Sequence, residues 1–194
     1  IVKVLLAAGA DPNARGANGW TALMLVSAGG ADSLVQELLS AGASTEAATE
    51  NEGWTALILA VQNGHNDVLA RLLRASAAPD LASLNGVTPM MRASGAGNVA
   101  AVRSLLAAGA DPKRSCDKGW TSLLLAARQG HEGVVRVLLE SGGGAWDAHE
   151  EDDAVTSIML VVGADTAAAG VEGMGLRLQR VVHGILQRTT HGDG

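Results

Sequence analysis

Gly53-Trp54-Thr55-Ala56-Leu57-Ile58-Leu59-Ala60-Val61-Gln62-Asn63-Gly64-His65 opens with a helix-start signal and closes with a helix-stop signal. A threonine before an apolar run suits the N-cap, where its hydroxyl accepts a hydrogen bond from a free backbone N–H of the first turn. A glycine after the run suits the left-handed position that closes a helix. The same arrangement recurs along the chain. Gly-Trp-Thr stands at Gly19–Thr21, Gly53–Thr55 and Gly119–Thr121, and Gly86-Val87-Thr88 fills the remaining slot, so the glycines are spaced by 34, 33 and 33 residues. Each threonine introduces an apolar run: Ala22–Val26, Ala56–Val61, Pro89–Met91 and Ser122–Ala127. Pro89 falls at the first helical position, which tolerates proline because its missing N–H would be unbonded anyway. Each run stops near a glycine, at Gly30, Gly64, Gly97 or Gly130.

A second helix is predicted directly after each of these glycines. Its apolar residues come as pairs four apart: Leu34/Val35 with Leu38/Leu39, Val68/Leu69 with Leu72/Leu73, Ala101/Val102 with Leu105/Leu106, and Val134/Val135 with Leu138/Leu139. That spacing lays one stripe on a 3.6-residue period. Gly42, Gly109 and Gly142 end the second helices, and Ala78-Pro79 and Asp111-Pro112 prevent their continuation.

A unit of about 33 residues made of turn, short helix, tight turn, second helix and loop resembles the ankyrin repeat. The resemblance rests on Thr88-Pro89-Met90-Met91-Arg92-Ala93, on Gly64-His65 and Gly130-His131, and on the Leu-Leu-Ala-Ala-Gly-Ala-Asp-Pro runs that begin at Leu5 and Leu105. It implies an all-α solenoid of stacked helix-turn-helix repeats. Residues 1–14 are expected to be the second half of a truncated repeat, residues 15–48, 49–81, 82–114 and 115–148 four full repeats, residues 149–188 a degenerate capping repeat, and residues 189–194 a disordered tail. An opening inside a helical pattern, without Met, suggests a piece of a longer chain. The chain departs from the family where a histidine usually follows Thr-Pro-Leu, since Met24, Ile58, Met91 and Leu124 stand there, so apolar packing should replace that residue's hydrogen bonds. Ser76 stands where the other second helices have glycine, and the second full repeat is therefore expected to be the least well closed.

Composition removes several classes of function. Residues 1–144 carry 11 Lys+Arg and 12 Asp+Glu, whereas residues 145–194 carry 3 and 8. Nothing in this balance offers the clustered positive charge that a nucleic-acid surface requires. No apolar run reaches the 18 or more residues needed to span a bilayer. The single cysteine, Cys116, excludes an internal disulfide framework and suits an intracellular, cytoplasmic or nuclear setting.

His65, His131, His149, His183 and His191 lack metal-ligand spacing. The first two occupy equivalent repeat positions, which points to architecture. Cys116 has Lys113, Arg114 and Lys118 nearby but also Asp117, and no histidine close in sequence to act as base. Glu150-Glu151-Asp152-Asp153 reads as a solvated loop, because it lacks the alternating ligands of a calcium site. We therefore expect a non-catalytic protein with no cofactor, no metal and no small-molecule substrate.

What remains is surface. The residue between glycine and threonine faces the inner groove in the ankyrin family, which commonly binds partners there. Here that row reads Trp20, Trp54, Val87 and Trp120, with Gln62, Asn63, Arg128 and Gln129 expected on the groove side. Tryptophan buries much area at little entropic cost and is enriched among interface hot spots. Each indole can equally pack over its neighbouring turn, and both roles can hold at once. The expected function is binding of a partner protein through this groove; the alternative is a recruiting arm of a larger enzyme whose catalytic domain lies outside these residues.

Overall fold

The computed structural model describes residues 2–141. Helix α1 spans Val2–Ala7, and four helix pairs follow: α2 (Ala22–Ala28) with α3 (Asp32–Ser40), α4 (Ala56–Gln62) with α5 (Asn66–Arg74), α6 (Pro89–Gly95) with α7 (Val99–Ala107), and α8 (Ser122–Arg128) with α9 (Glu132–Ser141). The described residues contain no strand, and the nearest approach to sheet is a pair of isolated bridges, Ala48 with Thr55 and Ser115 with Thr121. Helices α2, α4, α6 and α8 pack side by side as one layer, and α3, α5, α7 and α9 form the other. The core lies between these layers.

Every first helix starts on its threonine. The hydroxyls of Thr21, Thr55, Thr88 and Thr121 accept the amide protons of Met24, Ile58, Met91 and Leu124 at 3.4, 3.2, 3.2 and 3.3 Å. A cap of this kind is worth about 1 kcal/mol, a large fraction of what a two-turn helix can muster. Met24, Ile58 and Met91 are buried and Leu124 is half-buried, so apolar packing occupies the place of the family histidine. Helix α6 runs past its apolar start to include Arg92, Ala93, Ser94 and Gly95, because the cap and the packing, not the side-chain polarity of its second turn, set its length.

The turns that precede the first helices explain the irregular 34-residue step. In three of them the closing bond spans four residues: Gly16 to the carbonyl of Trp20 (2.7 Å), Ser83 to Val87 (3.0 Å) and Cys116 to Trp120 (3.0 Å). In the second, Thr49 donates to Trp54 across five (3.0 Å), and the Thr49 hydroxyl accepts from the Trp54 amide at 3.0 Å. The extra residue is accommodated in the turn and leaves the helix register untouched.

Neighbouring pairs are also joined by polar contacts at three levels. Turn tips bond in series, with Glu50 donating to the Asn18 carbonyl, Leu84 to Glu52 and Asp117 to Asn85 at 3.0, 2.9 and 3.2 Å. Between the helices of a pair, His65 Nε2 donates to the Ala28 carbonyl and His131 Nε2 to the Gly95 carbonyl, both at 3.0 Å; in the intervening pair Asn98 bonds Asn66 instead at 2.9 Å. A Cβ on Gly30 would sit 2.6 Å from His65 Nδ1, and one on Gly97 equally close to His131 Nδ1. These glycines are therefore needed for the close approach of a ring as well as for their positive φ of 72° and 70°. The loops after the second helices stack likewise: Asn13 Oδ1 accepts from Ser44 at 2.7 Å, Glu46 Oε1 from Ala78 at 3.0 Å, and the Asp80 carboxylate from Asp111 at 3.1 Å.

Ser76 takes the left-handed conformation, with φ 61°. Its turn is nevertheless closed by the same two bonds as its glycine counterparts, Ser76 to the Leu73 carbonyl and Ala77 to that of Leu72, both 3.0 Å, against Gly42 to Leu39 at 3.0 Å and Ala43 to Leu38 at 2.9 Å. The expectation of a loosely closed second repeat is corrected on this point, because the hydrogen bonds hold the serine in place and the cost falls on its backbone. Gly142, the proposed cap over 149–188, the tail at 189–194, the acidic run, and His149, His183 and His191 lie outside the described residues.

Two consequences are measurable. Ser76→Gly should raise stability by about 0.5–1 kcal/mol, read as a higher denaturant midpoint; an equal or lower midpoint would show that the serine carries no strain. Helix α1 buries none of its residues, and Val4 and Leu5 are 71% and 54% exposed, so amide hydrogen exchange should be fast over Val2–Ala7 and slow in α4 and α6. Uniform protection would mean that α1 is held by contacts other than those seen.

Candidate partner-binding face

Trp20, Trp54, Val87 and Trp120 occupy one register position at the start of successive first helices, and their backbone carbonyls are fixed by the turn-closing bonds described above. All four side chains are half-buried. Trp20 and Trp54 pack against the core on one side, which accounts for part of the recurrence of tryptophan here. The remaining surface of each ring is exposed to solvent. Both roles open to the indoles on the sequence are thus compatible with their burial.

The polar residues expected on the same face lie at the far end of these seven-residue helices, about 10 Å from the helix starts at 1.5 Å per residue. Gln62 ends α4 and is exposed; Asn63 is its C-cap, and its side-chain amide donates to the Leu59 carbonyl at 2.9 Å. Asn63 is therefore engaged in closing its own helix. Gln129 caps α8 and is exposed. Arg128 departs from this separation, since its guanidinium carbon lies 5.1 Å from the Trp120 ring centroid. Long helical side chains lean toward the N-terminus, which lets a residue at the end of α8 reach back to the ring at its start.

Two residues of this face were not singled out from the sequence. Leu25, on α2, is 60% exposed. Arg92, on α6, places its guanidinium carbon 5.4 Å from the Trp54 ring centroid, on the preceding pair. Both occupy the fourth place after the capping threonine, where the row reads Leu25, Leu59, Arg92 and Leu125. Reading that row across the repeats would have exposed the arginine as its one departure.

The two layers differ in how they treat charge. On the second-helix layer Arg71 clamps Asp32 of the neighbouring pair through Nε and Nη2, both at 2.5 Å, and also bonds Gln36. Lys3 pairs with Glu37 at 2.9 Å. The hydrogen bond from Arg71 holds the Asp32 carboxyl below the usual carboxylate range. On the first-helix layer the sequences ALMLVSA, ALILAVQ, PMMRASG and SLLLAAR contain two arginines and no acid. Arg92 Nε is buried and makes no hydrogen bond among the described residues, and burial lowers the pKa of its guanidinium.

The described residues hold no cluster of three or more His, Cys, Asp or Glu able to bind a metal ion, and none of their helices is long and apolar enough to cross a membrane. Cys116 is a free, half-buried thiol whose backbone closes the Trp120 turn. Arg114, one of the cations near it in sequence, donates instead to the Asp80 carbonyl at 3.0 Å. His65 and His131 serve as bridges between pairs, as their equivalent positions suggested.

The family model described as ankyrin repeats (3 copies) matches residues 1–81 and 69–149. Together with the two-layered stack of helix pairs, this places the chain in the ankyrin repeat family. No curated protein matches it. Ankyrin repeats are generally protein–protein interaction modules and are typically non-catalytic.

The Asp32–Arg71 pair yields a test of what holds the second-helix layer together. Because the folded-state pKa of Asp32 is depressed, its contribution is present above the unfolded value near 3.9 and is lost as pH falls through the folded one. Asp32→Asn should lower the denaturant midpoint at pH 7, and the difference from wild type should narrow and disappear as pH falls below about 4. A gap that stays constant down to pH 2 would assign the effect to capping or packing in place of the ion pair.

Proposed function

We propose that the chain binds a partner protein through its first-helix face, with Trp20, Trp54, Val87 and Trp120 as the contact row. Arg128 supports this row directly, and Gln62, Asn63 and Gln129 contribute at its far edge. The carrying observation is the recurrence of a half-exposed indole at one backbone-fixed position on three turns. A ring whose backbone is already immobilised loses little further freedom on binding, and its free face supplies the apolar area that hot spots require. Val87 leaves a shallower place in the row, suited to an extended segment or the edge of a helix. Binding of this kind needs no cofactor, nucleic acid, membrane insertion or small-molecule substrate. A single half-buried thiol fits an intracellular compartment, cytoplasmic or nuclear.

The test is a bait comparison. Wild-type chain and the Trp54→Ala, Trp120→Ala double variant are immobilised at a temperature where circular dichroism shows both folded, and the affinity of a captured partner is measured on each. Loss of two anchors should weaken binding by roughly 2–4 kcal/mol beyond any change attributable to unfolding. Because Trp54 also packs on the core, the double variant should melt at a lower temperature as well. A folded double variant with full affinity would remove the groove reading and direct attention to the turn tips.

A further inference from the structure

Arg92 breaks the pattern of its own repeat position. Three of the four equivalent places hold leucine, Leu25, Leu59 and Leu125, so the fold asks there for nothing more than an apolar side chain. The arginine is costly in its place: it is half-buried, its Nε is shielded from water without a hydrogen bond, and no acid occurs on α2, α4, α6 or α8 to neutralise it. A residue that departs from its neighbours' rule and carries an unmet polar group points to a function served elsewhere. The same repeat is the one with valine in the tryptophan row, and Arg92 lies over Trp54 of the preceding repeat. The ring holds the guanidinium by cation–π attraction, and its Nε has no acceptor among the described residues.

We propose that Arg92, seated on Trp54, is the receptor for a carboxylate of the bound partner. The occupant is an extended protein segment with one Asp or Glu flanked by apolar residues, the acid meeting Arg92 and its neighbours resting on exposed Leu25 and half-buried Leu125 and Trp120. This rests on the partner-binding reading above and adds its chemistry. Charge complementarity carries it: Arg92 stands on a layer whose four helices contain no acid, and a partly desolvated guanidinium forms a strong charge-assisted bond with a carboxylate. Two cations set among leucine and tryptophan are too few to track a phosphate backbone, so a protein acid is the fitting occupant.

The probe is a random 16-residue peptide library displayed on phage and selected on the full chain. Selected peptides should carry Asp or Glu at one fixed place between apolar residues. Arg92→Leu, which restores the residue of the sister repeats, should keep or raise the melting temperature and weaken these peptides about tenfold or more. Exchanging the peptide acid for its amide should cost a similar factor on wild type and almost nothing on Arg92→Leu. Arg92→Lys, which keeps the charge without the planar fork, should recover only part of the loss.

Peptides that depend on Trp54 and Trp120 but show no preference for an acid would overturn the carboxylate site and leave the groove reading standing. A lower melting temperature for Arg92→Leu with unchanged binding would overturn it by assigning Arg92 to packing. Binders insensitive to the tryptophans, or no binders, would overturn both readings. Binders that emerge only after Glu150, Glu151, Asp152 and Asp153 are exchanged for their amides would assign Arg92 to this chain's own acidic run and overturn the proposal of a partner acid.

Discussion

A helix of seven residues cannot hold itself in water, because the cost of nucleating its first turn is never recovered over so short a length. Among the described residues each first helix has seven, and the second helices α3, α5, α7 and α9 have nine or ten. Burial of one pair against the next is therefore the constraint on which the rest depends. Leu57, Ile58, Leu69 and Leu72 lie almost wholly out of solvent because pairs flank them on both sides, whereas Leu5, at the corresponding place in α1, is exposed. The threonine caps, the His65 and His131 bridges and the stacked loops make no core of their own. They fix the start, spacing and tilt at which neighbouring pairs meet, so that the apolar stripes face each other.

The sequence made the period of this architecture visible, and the reason is local. A capping threonine, a glycine at positive φ and a stripe on a 3.6-residue period each act within a few residues and leave a mark that can be recognised in every copy. What connects one copy to the next is less visible. The partner of His65 is a carbonyl 37 residues away, and the glycine it presses on, Gly30, looks from sequence like any other helix terminator. Ser76 was recognisable as a departure from glycine, but not the closing bonds that restrain it. The extra residue before Trp54 showed only as a spacing of 34, without indicating that the turn and not a helix takes it up.

The candidate site was legible to the same extent. The tryptophan row stands at a periodic position and could be read directly, while the reach of Arg128 to Trp120 and of Arg92 to Trp54 depends on side-chain direction and on stacking of one pair upon another. The bond from the Asn63 side-chain amide to the Leu59 carbonyl was likewise not visible in the sequence. The division of charge between layers likewise emerges only once helices are assigned to faces. On the second-helix layer Arg71 pairs with Asp32 of the adjacent pair and helps hold the stack, whereas the four first helices carry two arginines and no acid of their own.

The first-helix face, with its row of half-exposed indoles, is where we propose that a partner binds. The most direct measurement is a titration of the isotopically labelled chain with a captured partner, following the indole N–H signals of Trp20, Trp54 and Trp120 together with the backbone amides. The Trp54 and Trp120 indoles, with amides of α4, α6 and α8, should shift and saturate at the partner's binding stoichiometry. Saturable shifts confined to α5, α7 and α9, with the indole signals unmoved, would contradict it.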